Sequence, residues 1–161
     1  MVHRGIATVS GVLMVCFFLL ANYEPQFFML HFYQALMYLA IILLLFYFED
    51  HWAYAIGMQV PLVWIILSFG TGLLGSAMEQ VWRLFKGEPF ANRTGPLAMI
   101  IAIVGIVMIV TCARHWKREI SGLRIAKPTF FISTGIVLVY YVILITWFWR
   151  MFPQTSGSPT P

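Results

Sequence analysis

Apolar runs of nearly twenty residues succeed one another along this chain, and that pattern restricts its fold more than any motif does. Four or more runs approach the ~20 residues needed to cross ~30 Å of hydrocarbon as a helix. Of the 161 residues, 61% are apolar and 10% charged, and mean hydropathy is +0.85. A soluble domain is about 45–50% apolar and about 25% charged, so folding in water is excluded as an expectation. The alternating ~10-residue segments of a transmembrane β-barrel are absent from the sequence. The expected fold is all-α: a polytopic bundle of five transmembrane helices, or four if the first span is cleaved or the third is not a crossing. Nearly the whole chain is consumed by spans, leaving no room for a separate soluble catalytic domain.

The spans read as residues 5–21, 26–48, 61–82, 96–113 and 128–149, within a single domain over 1–152. The tail 153–161, rich in Pro, Ser, Thr and Gly, reads as disordered. Span one resembles a secretory signal, but cleavage after Ala21 would put Leu19 where a small residue is wanted, so an uncleaved anchor is expected. Pro25 resists helix continuation, and Glu24 marks the water boundary. The third apolar stretch, roughly Trp52 to Phe85, would span about 50 Å as one helix. Pro61 offers a division, with Trp52–Val60 as a lead-in and the crossing running to Trp82. Pro96 suits the first turn of span four.

Six of the ten basic residues, Arg4, Arg114, Lys117, Arg118, Arg124 and Lys127, fall on one side of a five-span layout. Arg83, Lys86, Arg93 and Arg150 fall on the other. The positive-inside rule then makes the N-terminus and the 114–127 loop cytoplasmic and the C-terminus external. The net charge of +4 therefore orients spans and implies no nucleic-acid partner. The loop bases Arg114, Lys117, Arg118, Arg124 and Lys127 also suit anionic lipid headgroups. Trp52, Trp82, Trp116, Trp147 and Trp149 fit interfacial belts, whereas Trp64 lies deeper. Asn92-Arg93-Thr94 matches a glycosylation acceptor on the outer side but reads first as a turn.

Within the third stretch, Ser68, Gly72, Gly75, Ser76, Glu79 and Arg83 fall on one face at ~100° per residue. Small residues there permit close helix approach, with Ala98, Ala102 and Gly105 of span four as the expected counter-face. The polar residues Glu24, His31, Gln34, Glu79, Gln80 and Arg83 gather near the outer side, with His31 and Glu79 at matching depth. His31 reads either as interhelical hydrogen-bonding glue or as a ligand or proton-handling group. Glu79 and Arg83 have the spacing of an intrahelical ion pair.

No cofactor or metal is expected. His3, His51 and His115 do not match His31 in depth for a bis-histidine haem, leaving single-histidine pigment ligation at His31 open. Glu49, Asp50 and His51 read as a solvated helix boundary, because adjacent residues cannot converge on one ion unaided. Cys16 and Cys112 lie in different spans and read as small apolar packers. No nucleotide loop, zinc-protease helix, hydrolase elbow or selectivity filter is present. Three function classes follow. The first is a non-catalytic membrane subunit or accessory protein, with membrane proteins, a second copy and the lipid bilayer as partners. The second is a small transporter or channel using His31 and Glu79. The third is a lipid-modifying enzyme using Asp50, His51 and His115.

Overall fold

The computed structural model describes residues 2–48, 50–87 and 94–148, and these are helical nearly throughout. The order is α1 (Val2–Tyr23), a 3-10 turn (Pro25–Phe27), α2 (Phe28–Tyr47), α3 (Asp50–Gly70), α4 (Leu73–Phe85) and α5 (Thr94–His115). A π-helical turn (Trp116–Ile120) and α6 (Ala126–Phe148) complete it. Five helices are long and apolar enough to cross a membrane by length and composition: α1, α2 with its preceding turn, α3, α5 with the π turn, and α6. The expected features at Glu49, Asn92, Arg93, Trp149, Arg150 and the tail lie outside the described residues, as does the His3 side chain.

Helices α1, α2, α3 and α5 close a ring, α1 lying on α2 and α5, and α3 on the same two. Phe17 of α1 stands at its centre, stacked on Tyr38 of α2 at 5.5 Å and edge-on to Trp64 of α3 at 5.6 Å. Such offset and edge contacts are the favourable aromatic geometries. Helix α6 rests chiefly on α3, and α4 on α5 and α3. The end carrying the 114–127 loop is called the basic end below, and the end carrying Glu24 the far end.

The third apolar stretch divides differently from expectation. Helix α3 begins at Asp50 and runs through Pro61 to Gly70, so residues 52–60 belong to the long helix rather than to a lead-in. Proline at position 61 removes a donor and crowds the carbonyl four residues back, at Gly57. Gly57 carries no side chain, and α5 supports this stretch through Met108 and Cys112. The chain breaks instead at Gly72, whose φ of +75° is left-handed. Glycine occupies that region without a Cβ penalty and commonly closes a helix there. At 13 residues, α4 is about 20 Å long and too short to cross.

That break also corrects the expected close-packing face. Ser68 is buried on α3, but Gly72, Gly75 and Ser76 are exposed, and a Cβ at Gly72 or Gly75 would meet nothing within 4 Å. Close approach occurs elsewhere. A Cβ at Gly57 would stand 2.9 Å from Cys112 Sγ and 3.0 Å from Met108 Cε, and one at Gly105 would stand 3.3 Å from Pro61 Cβ. Ala98, Ala102 and Gly105 are all buried on α5. Gly105 meets Pro61 and Ile65 rather than the Gly72–Ser76 ridge. Cys16 and Cys112 are free and buried.

Candidate functional site

Polar side chains gather at three levels of the bundle. At the far end, α1 stops before Pro25, and the Phe27 amide donates to the Glu24 carbonyl across the turn at 2.8 Å. The turn carries Glu24 over the first turns of α2. There His31 Nε2 meets Glu24 Oε2 at 3.2 Å, and His31 Nδ1 meets Gln34 Oε1 at 3.1 Å. The imidazole is 6% exposed and Gln34 8%, with the rings of Phe17 and Phe27 at 6.5 and 6.4 Å. An imidazole with two N–H groups donates to both oxygens. A ring with one is equally satisfied when the Gln34 amide rotates and donates to Nδ1. One proton and one amide rotation therefore separate two hydrogen-bonded states. With both nitrogens engaged, pigment ligation by His31 would require release of a partner.

Glu79, Gln80 and Arg83 do not join this group. They lie on α4, where Arg83 Nη2 donates to Glu79 Oε1 at 2.6 Å on an exposed surface. Gln80 packs over Gly95 at the start of α5, its Oε1 buried without a hydrogen-bond partner. Glu79 and His31 make separate polar contacts, Glu79 with Arg83 on α4 and His31 with Glu24 and Gln34. Replacing Glu79 by Gln should therefore change stability by less than about 1 kcal/mol, the range of exposed ion pairs, in thermal unfolding of the purified chain.

At mid-height, Gln59 of α3 donates from Nε2 to Thr134 Oγ1 at 2.8 Å and to the Phe130 carbonyl at 3.3 Å. Its Oε1 is buried without a partner. The Tyr141 hydroxyl donates to the Val60 carbonyl at 3.0 Å. These bonds fasten α6 to α3.

At the basic end, one carboxylate links α3 to the π turn. Tyr54 donates to Glu119 Oε2, and His115 Nδ1 to Glu119 Oε1, both at 3.1 Å. The Tyr54 and His115 rings lie 5.8 Å apart. The π turn, closed by the Ser121 amide on the Trp116 carbonyl at 2.9 Å, carries Glu119 on the run that joins α5 to the loop. Such turns often mark functional places in helices. Replacing Tyr54 by Phe removes one donor and is expected to cost about 1 kcal/mol in the same unfolding measurement. His51 instead lies against Trp52, with ring centroids 5.6 Å apart.

Sequence reasoning missed Gln59, Tyr54 and Glu119. The four-residue spacing of His115 and Glu119 was available as a signal; Tyr54 gave none. Among the described residues, no group of three or more His, Cys, Asp or Glu is arranged to hold a metal ion. The loop bases Arg114, Lys117, Arg118, Arg124 and Lys127 are all exposed. Comparison of the chain with protein families, curated proteins and solved structures finds no match.

Proposed function

We propose that the chain is a multi-pass integral membrane protein with five crossings, α1, α2, α3, α5 and α6, acting as a non-catalytic subunit or accessory protein. In this reading α4 lies at the membrane surface. Ser76, Glu79 and Arg83 share its exposed polar side, while Met78, Trp82 and Phe85 present apolar groups, the division expected of an interfacial helix. The basic loop and the N-terminus are cytoplasmic, and α4 is external.

The observation that carries the reading is α6. It is held chiefly by α3, through a narrow stripe of Thr129, Ser133, Val137, Tyr141 and Leu144. Most of the rest of its surface is apolar and exposed, including Phe131, Ile132, Val139, Val142 and Trp147. The polar groups of the crossing helices, by contrast, are largely spent on one another. Such a helix suits packing against lipid and a neighbour's helices. A photo-crosslinking residue at Val139, used in native membranes, tests this. A discrete crosslinked protein species, absent when the probe replaces buried Val137, is the expected result. Crosslinks to lipid alone would remove the subunit role.

The Glu24–His31–Gln34 group favours a second reading, a small transporter or channel that handles protons or cations at the far end. Purified protein in liposomes should then carry a proton-dependent flux that Glu24→Gln and His31→Gln both abolish. Flux that is absent in the unmodified chain, or unaffected by either change, excludes it.

A further inference from the structure

Where the π turn hands over to α6, the surface holds a groove of about 210 Å³ lined by Trp116, Ser121, Ala126, Lys127, Phe130 and Phe131. Its walls are aromatic: Trp116 and Phe130 lie 6.0 Å apart, and Phe130 meets Phe131 at 6.3 Å. Its rim is cationic. Lys127 lines the groove, and Lys117, Arg118 and Arg124 are exposed on the same loop. Glu119 is the one acid in the sequence between Arg114 and Phe131, and Tyr54 and His115 both engage its carboxylate. Below the groove, Gly135 is exposed with open space around it. Phe131, Gly135, Leu138 and Val142 follow one another at helical spacing on α6, all exposed. They form an apolar track with a shallow step at the glycine.

We infer that this groove binds one anionic phospholipid, its phosphate on Lys127, the one base that lines the groove, and its acyl chain along the Phe131–Val142 track. The inference rests on the five-crossing reading and adds a defined site to it. Charge complementarity selects the headgroup, since Lys127 lines the groove and the segment that carries it holds Lys117, Arg118 and Arg124 against one acid, Glu119, which is engaged. The aromatic walls and the track select a lipid over a free phosphate ester, which would gain nothing from them.

Native mass spectrometry of the full chain, released from nanodiscs of equal phosphatidylglycerol and phosphatidylcholine, tests the site. One phosphatidylglycerol per chain should be retained in preference to phosphatidylcholine. Lys127→Gln should weaken that retention about tenfold, the effect of losing one charge-assisted hydrogen bond. Lys127→Arg should preserve it. Lys117→Gln, an identical charge change outside the groove, should alter it less than about twofold. Phe131→Ser should weaken phosphatidylglycerol retention, and soluble glycerol phosphate should not compete at equal concentration. Equal losses for Lys127→Gln and Lys117→Gln would overturn the site in favour of a diffuse basic surface. Effective competition by glycerol phosphate would overturn the lipid assignment. A chain that does not enter nanodiscs at all would instead refute the membrane reading beneath it.

Discussion

Replacing Gly57 by alanine is expected to destabilise the protein by up to about 2 kcal/mol, although the same change in an open helix stabilises. Alanine exceeds glycine in helix propensity by about 1 kcal/mol. Against that stands the α3–α5 crossing, where the added Cβ would sit 2.9 Å from Cys112 Sγ and 3.0 Å from Met108 Cε. The methionine methyl can swing aside, but the cysteine sulfur is held on a short, buried side chain. Overpacking of this kind costs about 1–3 kcal/mol, so the steric term wins. Two companions make the result specific. Gly11→Ala, where a Cβ would meet nothing within 4 Å, should stabilise by up to about 1 kcal/mol. Adding Cys112→Ala to Gly57→Ala should recover most of the loss, because it removes the clashing atom. Thermal unfolding in mild detergent measures all three. A stabilising Gly57→Ala would show that the two helices do not approach as described.

The second large effect belongs to the far end. Removing one partner of a buried pair leaves the other with its desolvation cost uncompensated. Glu24→Ala takes away the acceptor facing His31 Nε2 inside a pocket of Phe17 and Phe27. The Glu24 side chain is 23% exposed, so water replaces part of the contact, and the expected loss is about 1–3 kcal/mol. Combining Glu24→Leu, His31→Leu and Gln34→Leu should cost less than Glu24→Ala alone, since none of the three hydrogen-bonded groups is then stranded. A combined change more damaging than the single one would show that the cluster contributes net stability rather than orientation. Either way the α1–α2 turn is the reporter, because Glu24 is anchored to it by the Leu20 and Phe27 backbone bonds.

These two sites show what the residue order carried and what it did not. Pro25 marked the first turn, and the apolar runs marked five long helices, because local chemistry governs both. The break in the third stretch was misplaced because Pro61 looked like the obstacle. In the folded chain that proline lies inside α3, packed opposite Gly105, and the helix runs on to Gly70. The Gly70-Thr71-Gly72 triple, which ends α3, was the available cue. The Glu24–His31–Gln34 cluster was partly visible, being confined to a single helix and the turn before it. The Tyr54–Glu119 bond joins residues 65 positions apart, and no spacing rule reaches that far. The contact of Gly57 with Cys112 is equally non-local, though the Ala53-x-x-x-Gly57 pair was a small-residue signal for a close helix neighbour.

The central claim, five crossings with α3 ending at Gly70 and α4 outside the bilayer, is tested by single cysteines at three exposed positions. In a background with Cys16→Ala and Cys112→Ala, Asn22→Cys, Ser76→Cys and Ser121→Cys are each treated with a membrane-impermeant maleimide, first on intact cells and then on permeabilised ones. Asn22→Cys and Ser76→Cys should be labelled on intact cells, and Ser121→Cys only after permeabilisation. Protection of Ser76→Cys under both conditions, or labelling of Ser121→Cys together with Asn22→Cys on intact cells, would contradict the account.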